Sequence, residues 1–431
     1  VALCGTWLAS PMVLSAIHVP HSATLLDLGL LDPPAASPSV LVCGDADFAY
    51  SCALAACLRD EGAARILATC YESQEDLLQR YPHAADAIAT LRGTNVDVHC
   101  GIDARALTDH IGAESSYDRI VFNLPQAPPL PRARNQIQRH RALLRDFCKS
   151  AEAHLAPNGQ LWITLLAGQG GTPADPIQRP LGDHWQILHE GARAGLLVRD
   201  VRLADIDSLA AAGYAPTGRR QNKKLGTNRQ SRGLVVHVLS REGDHQQPAV
   251  GPLEWAFDNS FWVGDDPPDV PRLLEHARCA LGPALAHAIA DEPELIDAYT
   301  RPEDGRKART YRFTYRSASV ALSRERTLQA NAHVCETIAR VSGGAPRTPS
   351  EETLAAALQQ GSGGEPVGGA AGDGAPAAVV DACDQGGEAD EADCEAAAAA
   401  AVGAQAHGGA GTAGAEERAA PACGGRWKQP E

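Results

Sequence analysis

The sequence predicts an α/β fold with a seven-stranded, largely parallel sheet, followed by a smaller α+β domain. Short apolar segments alternate with helix-like segments between residues 40 and 240, which is typical of strands covered by helices on both faces. The first apolar segment stops at Gly44, and an acidic turn and an apolar helix-like segment follow it. After residue 253, aromatic and polar residues alternate, as in a half-buried antiparallel strand.

Seven apolar segments are the predicted strands of the first domain. In chain order they are 40–43, 65–69, 96–99, 119–122, 160–165, 196–203 and 233–239. A tight turn is expected at 156–159, directly before the fifth strand. Because ligands of such sheets bind beyond the carboxyl ends of the strands, the loops after the first four strands form the predicted site.

Polar side chains follow each of these four strands. Asp45 and Asp47 come after the first, Glu72 after the second, Asp103 after the third and Asn123 after the fourth. Carboxylates beside a glycine turn would repel a pyrophosphate, whereas S-adenosylmethionine has no phosphate and carries two cationic groups. The pattern therefore favours S-adenosylmethionine, with Glu72 on the ribose and Asp103 near the adenine. Any one acid alone is explained more simply as a solvated loop residue.

Short motifs recur in order along residues 40 to about 240. They are Gly44-Asp45-Ala46-Asp47-Phe48, Tyr71-Glu72-Ser73 with Leu77 and Tyr81-Pro82, Gly101-Ile102-Asp103-Ala104, Tyr117 to Asn123, Leu143 to Phe147, and Gly213-Tyr214. Together they resemble the 25S ribosomal RNA (uridine-N(3))-methyltransferase-like family, which has a Rossmann-like methyltransferase domain. Two positions depart from the family pattern: Ala46 replaces a glycine, and Gln126 stands where a histidine is usual.

This resemblance implies an S-adenosylmethionine-dependent enzyme that methylates an RNA base. The cofactor would be held by Gly44, Asp45, Asp47, Phe48, Glu72 and Asp103, and the catalytic residues would be Asn123 and Pro125. Uracil N3 carries a proton and lies on the pairing edge, so the base must be unpaired and a proton acceptor is needed. Tyr214, Asp118 and solvent are the candidate acceptors.

A second resemblance covers residues 253 to about 342. Its motifs are Trp255, Asp258 to Val263, Glu294 to Tyr299, Gly305-Arg306-Lys307 and Tyr311 to Ser317, with a helix expected at 322–338. They are similar to the ferredoxin-fold anticodon-binding domain of phenylalanyl-tRNA synthetases, a ferredoxin-like plait. Arg312 and Arg316 are expected on a basic outer face that contacts RNA. The segment 342–346 is a poor last strand.

Composition predicts the remaining organisation. Residues 348–431 are rich in Ala, Gly and acids and are expected to be disordered. They contain 14 acidic and 3 basic residues, so they account for −11 of the chain's net charge of −15. The predicted boundaries are a poorly defined leader at 1–38, the methyltransferase domain at 39–241, a flexible linker at 242–252 and the ferredoxin-fold domain at 253–347.

Basic clusters indicate an RNA partner, because they attract phosphates with little sequence preference. The loop with Arg219, Arg220, Lys223 and Lys224 contains no acid, so we expect RNA contact there. Ribosomal RNA is favoured and tRNA is the alternative. Twelve cysteines without a Cys-x-x-Cys pair predict a reduced intracellular protein without a metal site, and no membrane partner is expected. Nucleolus or cytoplasm is favoured, and an organelle is not excluded.

Three functions remain open at this level. The first is a catalytic RNA methyltransferase. The second is a non-catalytic RNA- or tRNA-binding protein with a degenerate cofactor pocket, which Ala46 and Gln126 favour. The third is an unrelated nucleotide-binding scaffold, which the anticodon-binding resemblance disfavours.

Overall fold

The structure is a computed structural model, and it describes residues 38–58, 64–94, 96–127, 135–204, 206–214, 233–244, 247–264, 269–289 and 291–341. The predicted leader, the predicted tail and the basic loop with Arg219, Arg220, Lys223 and Lys224 lie outside these residues.

The first domain contains the seven predicted strands. They are β1 Ser39–Cys43, β2 Arg65–Thr69, β3 Val96–His99, β4 Tyr117–Asn123, β5 Leu155–Leu166, β6 Leu196–Leu203 and β7 Leu234–Arg241. They form one sheet in the order β3-β2-β1-β4-β5-β7-β6. The pairs from β3 to β5 are parallel, and β7 runs antiparallel to both β5 and β6. The expected largely parallel sheet is therefore confirmed.

Helices cover both faces of this sheet. They are α1 Ala49–Leu58, α2 Gln74–Arg80, α3 Ala84–Arg92, α4 Leu107–Ile111, α5 Gln136–Glu152, α6 Ile187–Arg193 and α7 Ile206–Ala211. Successive strand residues point to opposite faces, so Val40 and Val42 pack with Leu54 and Ile88 in one core cluster. Leu41 belongs to the second cluster, which α5 helps to build.

The turn predicted at 156–159 lies inside β5 rather than before it. The register between β4 and β5 shifts between Tyr117 and Arg119, and Asn158 has a φ of 60°. A Cβ on Gly159 would lie 2.8 Å from the Ala156 carbonyl oxygen, so only glycine fits this irregularity. The turn residues were identified correctly, but strand pairing continues on both sides of them.

The second domain has the expected order of strands and helices. It consists of β8 Glu254–Val263, α8 Val270–Leu285, β9 Glu294–Thr300, β10 Lys307–Arg316 and α9 Arg324–Val341. The three strands are antiparallel in the order β8-β10-β9. Tyr311, Phe313 and Tyr315 are buried against the helices, as their alternation predicted. The expected last strand lies outside the described residues.

The described end of the segment between the two domains, residues 247–253, makes contacts with both. The Ala249 amide donates to the Ala318 carbonyl and the Val250 amide to the Val198 carbonyl, each at 2.8 Å. Ala249 and Leu253 also pack on a small apolar cluster that includes Leu197 of β6. Backbone hydrogen bonds thus connect residues 249–250 to both domains, and the flexible joint expected at 242–252 stays a prediction. Among the described residues, no helix is long and apolar enough to cross a membrane.

Candidate functional site

The loop after β1 depends on glycine at position 44. Gly44 has a φ of 64°, a conformation that side chains rarely adopt. A Cβ there would also lie 2.6 Å from Cε2 of Phe122 on the neighbouring strand β4. The Asp45 amide donates to the Thr69 carbonyl at 2.9 Å, which ties this loop to the end of β2. The sharp turn predicted from sequence is therefore present.

Asp45 and Asp47 hold the start of α1. Oδ2 of Asp45 accepts from the Ser51 amide at 2.7 Å and from the Ser51 hydroxyl at 2.6 Å. Oδ1 of Asp47 accepts from the Ala49 amide at 3.1 Å, and its Oδ2 lies 3.2 Å from Nε2 of His83. Burial raises the pKa of Asp45 to about 6, although the bonds from Ser51 act in the opposite direction.

Phe48 is buried beside these acids and has a φ of 61°. A bulky residue in the left-handed region is strained, and such strain is commonest at functional sites. The turn between β1 and α1 is thus shaped by Gly44 at one end and a strained Phe48 at the other.

Glu72 and Asp103 lie beyond the ends of β2 and β3, and both are ion-paired. Oε1 of Glu72 is 2.7 Å from Nη1 of Arg80. Arg105 contacts both carboxylate oxygens of Asp103 through Nε and Nη2, at 2.6–3.2 Å. These bonds lower the pKa of Asp103. The Gly101 amide donates to the Glu72 carbonyl at 2.8 Å and connects the two loops.

Asn123 ends β4 in a constrained loop. Its Oδ1 accepts from the Thr164 hydroxyl of β5 at 2.6 Å. Its Nδ2 is buried and interacts with the Tyr50 hydroxyl; burial raises the pKa of Tyr50, and the interaction with Asn123 acts in the opposite direction. The next residue, Leu124, has a φ of 50°, and its amide donates to the Thr164 carbonyl at 2.9 Å. Pro125 is buried, whereas Gln126 is exposed.

Two tyrosines, Tyr50 and Tyr214, complete this edge. The sequence did not indicate that they are neighbours. The rings of Tyr50 and Tyr214 pack edge to face at 5.4 Å. Burial, reinforced by the nearby Asp45 charge, raises the pKa of Tyr214 well above its usual value. The Tyr214 hydroxyl therefore stays protonated, and Tyr214 is a poor proton acceptor. Tyr50 is on α1 next to Ser51, so only the folded chain shows that it faces Asn123.

Asp118, the other residue considered as a proton acceptor, lies at the wrong end of the sheet. Its Oδ2 accepts from the Ser39 amide and the Ser39 hydroxyl, both at 2.8 Å. Ser39 begins β1 and Asp118 is at the start of β4, so the pair is at the amino ends of these strands. Asp118 is therefore a structural residue, and the proposal that it accepts the proton is wrong.

The two described residues expected to contact RNA, Arg312 and Arg316, both lie beside acids. Arg312 forms a two-point ion pair with Asp258 at 2.7 and 2.8 Å, and Arg316 lies 3.5 Å from Glu254. Acids of β8 thus neutralise the outer face that the sequence suggested was basic. On α5, Arg141 donates to three loop carbonyls and Arg145 pairs with Glu190, so these two have structural roles.

The predicted site residues come together at one edge. Since β3, β2, β1 and β4 are adjacent and parallel, Asp103, Glu72, Gly44, Asp45 and Asn123 lie beyond neighbouring strand ends. The sequence did not predict their partners Arg80, Arg105, Ser51 and Thr164. Spacing could have suggested only Arg105, two residues after Asp103. Within the described residues, no group of three His, Cys, Asp or Glu side chains could hold a metal ion.

Comparisons with known proteins support the predicted family. The family model described as rRNA (uridine-N3-)-methyltransferase BTM5-like matches residues 41–214. Ferredoxin-fold anticodon-binding domain-containing protein 1 of Homo sapiens is 31% identical over 204 residues, which is 47% of this chain and 31% of that protein. The chain therefore matches about a third of the length of this relative. The resemblance stated for residues 40 to about 240 is confirmed.

Two further similarities are weaker. The mitochondrial phenylalanine–tRNA ligase of Saccharomyces cerevisiae is 32% identical over 60 residues, which is 14% of this chain and 13% of the ligase. The crystal structure of TrmN from Thermus thermophilus is 20% identical, covers 49% of this chain and 47% of its own, and has a TM-score of 0.30. The fold assignment rests on the strand order rather than on this similarity.

Proposed function

We propose that this chain is an S-adenosylmethionine-dependent RNA methyltransferase that acts on N3 of a uridine, with ribosomal RNA as its substrate. The observation that carries the proposal is the family match at residues 41–214, because the same residues form the acidic edge of the sheet. The curated relative with an anticodon-binding domain supports an RNA partner. A tRNA substrate is the alternative within this function.

The residues of the edge fit the proposed cofactor. Gly44 gives the loop after β1 its sharp turn, and the Asp45 amide ties this loop to the end of β2. The loops with Asp45, Glu72 and Asp103 provide carboxylates. These loops contain no glycine cluster of the kind that binds phosphate. Asn123, held by the Thr164 hydroxyl at the end of β4, lies beside the loop after β1 that contains Gly44 and Asp45. When bound, S-adenosylmethionine would supply the methyl group.

The chain's own residues would bind, orient and deprotonate the substrate. Glu72 and Asp103 are proposed to accept hydrogen bonds from the cofactor's nucleoside, held in place by Arg80 and Arg105. Asn123, held by the Thr164 hydroxyl and followed by the buried Pro125, is proposed to orient the base. Asp45 is proposed to accept the N3 proton: it follows β1, the strand next to β4 and Asn123, and burial raises its pKa toward the working pH.

The test has two stages. Calorimetric titration with S-adenosylmethionine should show binding, and transfer of a labelled methyl group to total RNA should yield 3-methyluridine after digestion to nucleosides. Asn123→Ala should abolish transfer and leave cofactor binding intact. Glu114→Ala, on an exposed turn at the other end of β4, is the control and should change neither quantity.

A second candidate is a non-catalytic RNA-binding protein. Gln126 stands where the resembled family usually has a histidine, and it is exposed beside the Asn123 loop; a glutamine amide does not exchange a proton at neutral pH as an imidazole does. Cofactor binding without transfer to any RNA would select this candidate.

We also propose an intracellular location, in the nucleolus or cytoplasm, which imaging of the tagged full chain would check.

A further inference from the structure

The loop between β5 and α6, residues 167–186, leaves the sheet at the edge where Asn123 lies. β5 runs parallel to β4, and Thr164 of β5 is the register partner of Asn123, so both strands end at this edge. The far end of the loop packs on α5, where the rings of Trp185 and His140 stack at 4.1 Å. Since α5 is the helix that follows β4, this loop and the Asn123 loop are neighbours.

A buried aspartate–histidine pair fastens the first half of the loop to the sheet. Oδ2 of Asp175 lies 3.6 Å from Nε2 of His237 on β7, and both side chains are completely buried. The same oxygen accepts from the Thr172 amide at 2.8 Å and from its hydroxyl at 3.0 Å, while Oδ1 accepts from the Gly168 amide at 3.3 Å. Burial opposes ionisation of Asp175, but His237 and Thr172 outweigh it and lower its pKa, so the carboxylate stays charged.

Arg141 of α5 fastens the second half of the loop. This buried arginine donates to the carbonyl oxygens of Leu181, Gly182 and His184 at 2.7–3.1 Å. The loop is therefore held to the sheet at one end and to a helix at the other. A loop held in this way pays little ordering cost when it binds a ligand.

Arg179 is an exposed cation between these two anchors. Its Nε lies over Gly168, since a Cβ on that glycine would be 2.9 Å from it. Among the described residues, the Arg179 guanidinium forms no hydrogen bond or ion pair, and Asp183, the other exposed charge of the loop, does not pair with it. An arginine in this setting suits a phosphate, which a guanidinium can bind through two N–H bonds at once.

We propose that Arg179 binds an RNA phosphate beside the target nucleotide, and that Asp175 is the positioning residue that holds the loop for this contact. The base would lie at the Asn123 loop and the phosphate at the neighbouring loop after β5. This inference rests on the proposed function in placing an RNA strand at this edge. It adds which residue holds the backbone of that strand and what fixes that residue in place.

Binding can be measured without catalysis. The full chain is saturated with S-adenosylhomocysteine, and its affinity for a short single-stranded oligouridine is measured at several salt concentrations. Arg179→Ala should weaken binding severalfold and reduce the slope of log affinity against log salt by about 0.7, the value for one phosphate contact on a single strand. Arg179→Lys keeps the charge and should keep the slope. Arg92→Ala is the control, because Arg92 is an exposed arginine directly before β3, at the opposite edge of the sheet.

Variants of Asp175 separate positioning from stability. Asp175→Asn keeps the shape and removes the charge, so the loop should lose its hold on His237, and the salt slope should fall as in Arg179→Ala. The double variant should bind no more weakly than Arg179→Ala, because both changes remove the same contact. Asp118→Asn is the matched control, since Oδ2 of Asp118 also accepts from an amide and a hydroxyl, at the other edge of the sheet. It should lower the melting temperature to a similar extent and leave the slope unchanged.

An unchanged salt slope in Arg179→Ala would overturn the phosphate contact, and additive losses in the double variant would overturn the positioning role of Asp175. Because Arg179 is exposed, its variants decide the first point even where Asp175→Asn does not fold. Methyl transfer, measured on the same samples, tests the proposed function separately. A protein that binds RNA through Arg179 but transfers no methyl group would retain the inference and lose the enzyme. An active enzyme whose Arg179→Ala variant keeps the wild-type slope would do the opposite.

Discussion

Arg80, at the end of α2, lies 2.7 Å from the Glu72 carboxylate beyond the end of β2. The Glu72 side chain is only 13% exposed, so it is held in place by the pair rather than free in solvent. The Ser73 hydroxyl accepts from the Asp76 amide and caps the start of α2. The helix then brings Arg80, in its last turn, back to the Glu72 side chain. A carboxylate fixed in this way is already positioned for a ligand, which reduces the cost of ordering on binding.

Glu72→Ala should weaken S-adenosylmethionine binding by about 1–3 kcal/mol, because the hydroxyls of a bound ribose would lose their acceptor. Calorimetry measures the change directly. Glu75→Ala is the control, since it removes the same charge from an exposed position in the first turn of the same helix. Equal affinities for the Glu72 variant and the wild type would remove Glu72 from the cofactor site.

Asp45 should make stability depend on pH. Its folded pKa of about 6 lies above the unfolded value of 3.8, so the unfolded chain releases this proton first. The contribution of Asp45 to stability is therefore complete below about pH 4 and is lost as the pH rises through 6. Urea unfolding should show that, between pH 4 and pH 7, the free energy of unfolding falls by about 1–3 kcal/mol more in the wild type than in Asp45→Asn. Parallel pH curves for the two proteins would contradict the raised pKa.

Contacts between the domains should protect the segment that joins them. Oε1 of Glu242 accepts from the Ala321 amide at 2.6 Å and also pairs with Arg326 of α9. Glu242→Ala should increase the rate of proteolytic cleavage at 242–252 severalfold, because a backbone donor and a guanidinium lose their shared acceptor. Mass spectrometry of the fragments identifies the cleavage site.

The control for this experiment is Arg193→Ala. Arg193 pairs with Glu325 at 2.5 Å across the same interface, but the two side chains are 36% and 54% exposed. Exposed pairs contribute little, so cleavage should stay near the wild-type rate. Rapid cleavage of the wild type itself would show that the joint is open in solution.

The basic loop outside the described residues remains the predicted RNA contact. Replacing Lys223 and Lys224 with alanine should weaken RNA binding and reduce the slope of log affinity against log salt by about 0.7 to 0.9 per lost phosphate contact. Cofactor affinity should not change. Lys149→Ala, an exposed lysine on α5, is the matched control. A salt slope equal to that of the wild type would assign the loop a connecting role only.

The sequence alone determined the strands, their alternation with helices and the acids at their ends. These properties are local, since apolar runs, glycine turns and charged loop residues are read within a few positions along the chain. The seven strands and the burial of Tyr311, Phe313 and Tyr315 were correct for this reason. The family motifs were recognised in the same way, because each is a short contiguous segment of the sequence.

Only the tertiary structure decided what each polar side chain contacts. Asp118 and Asn123 belong to the same strand, yet one binds Ser39 at its start and the other Thr164 at its end. Arg312 is paired with an acid 54 residues away, and the Thr164 hydroxyl that orients Asn123 comes from the neighbouring strand. Hydrogen bonds act over about 3 Å in space and not along the chain, so their partners are known only when the strands lie side by side.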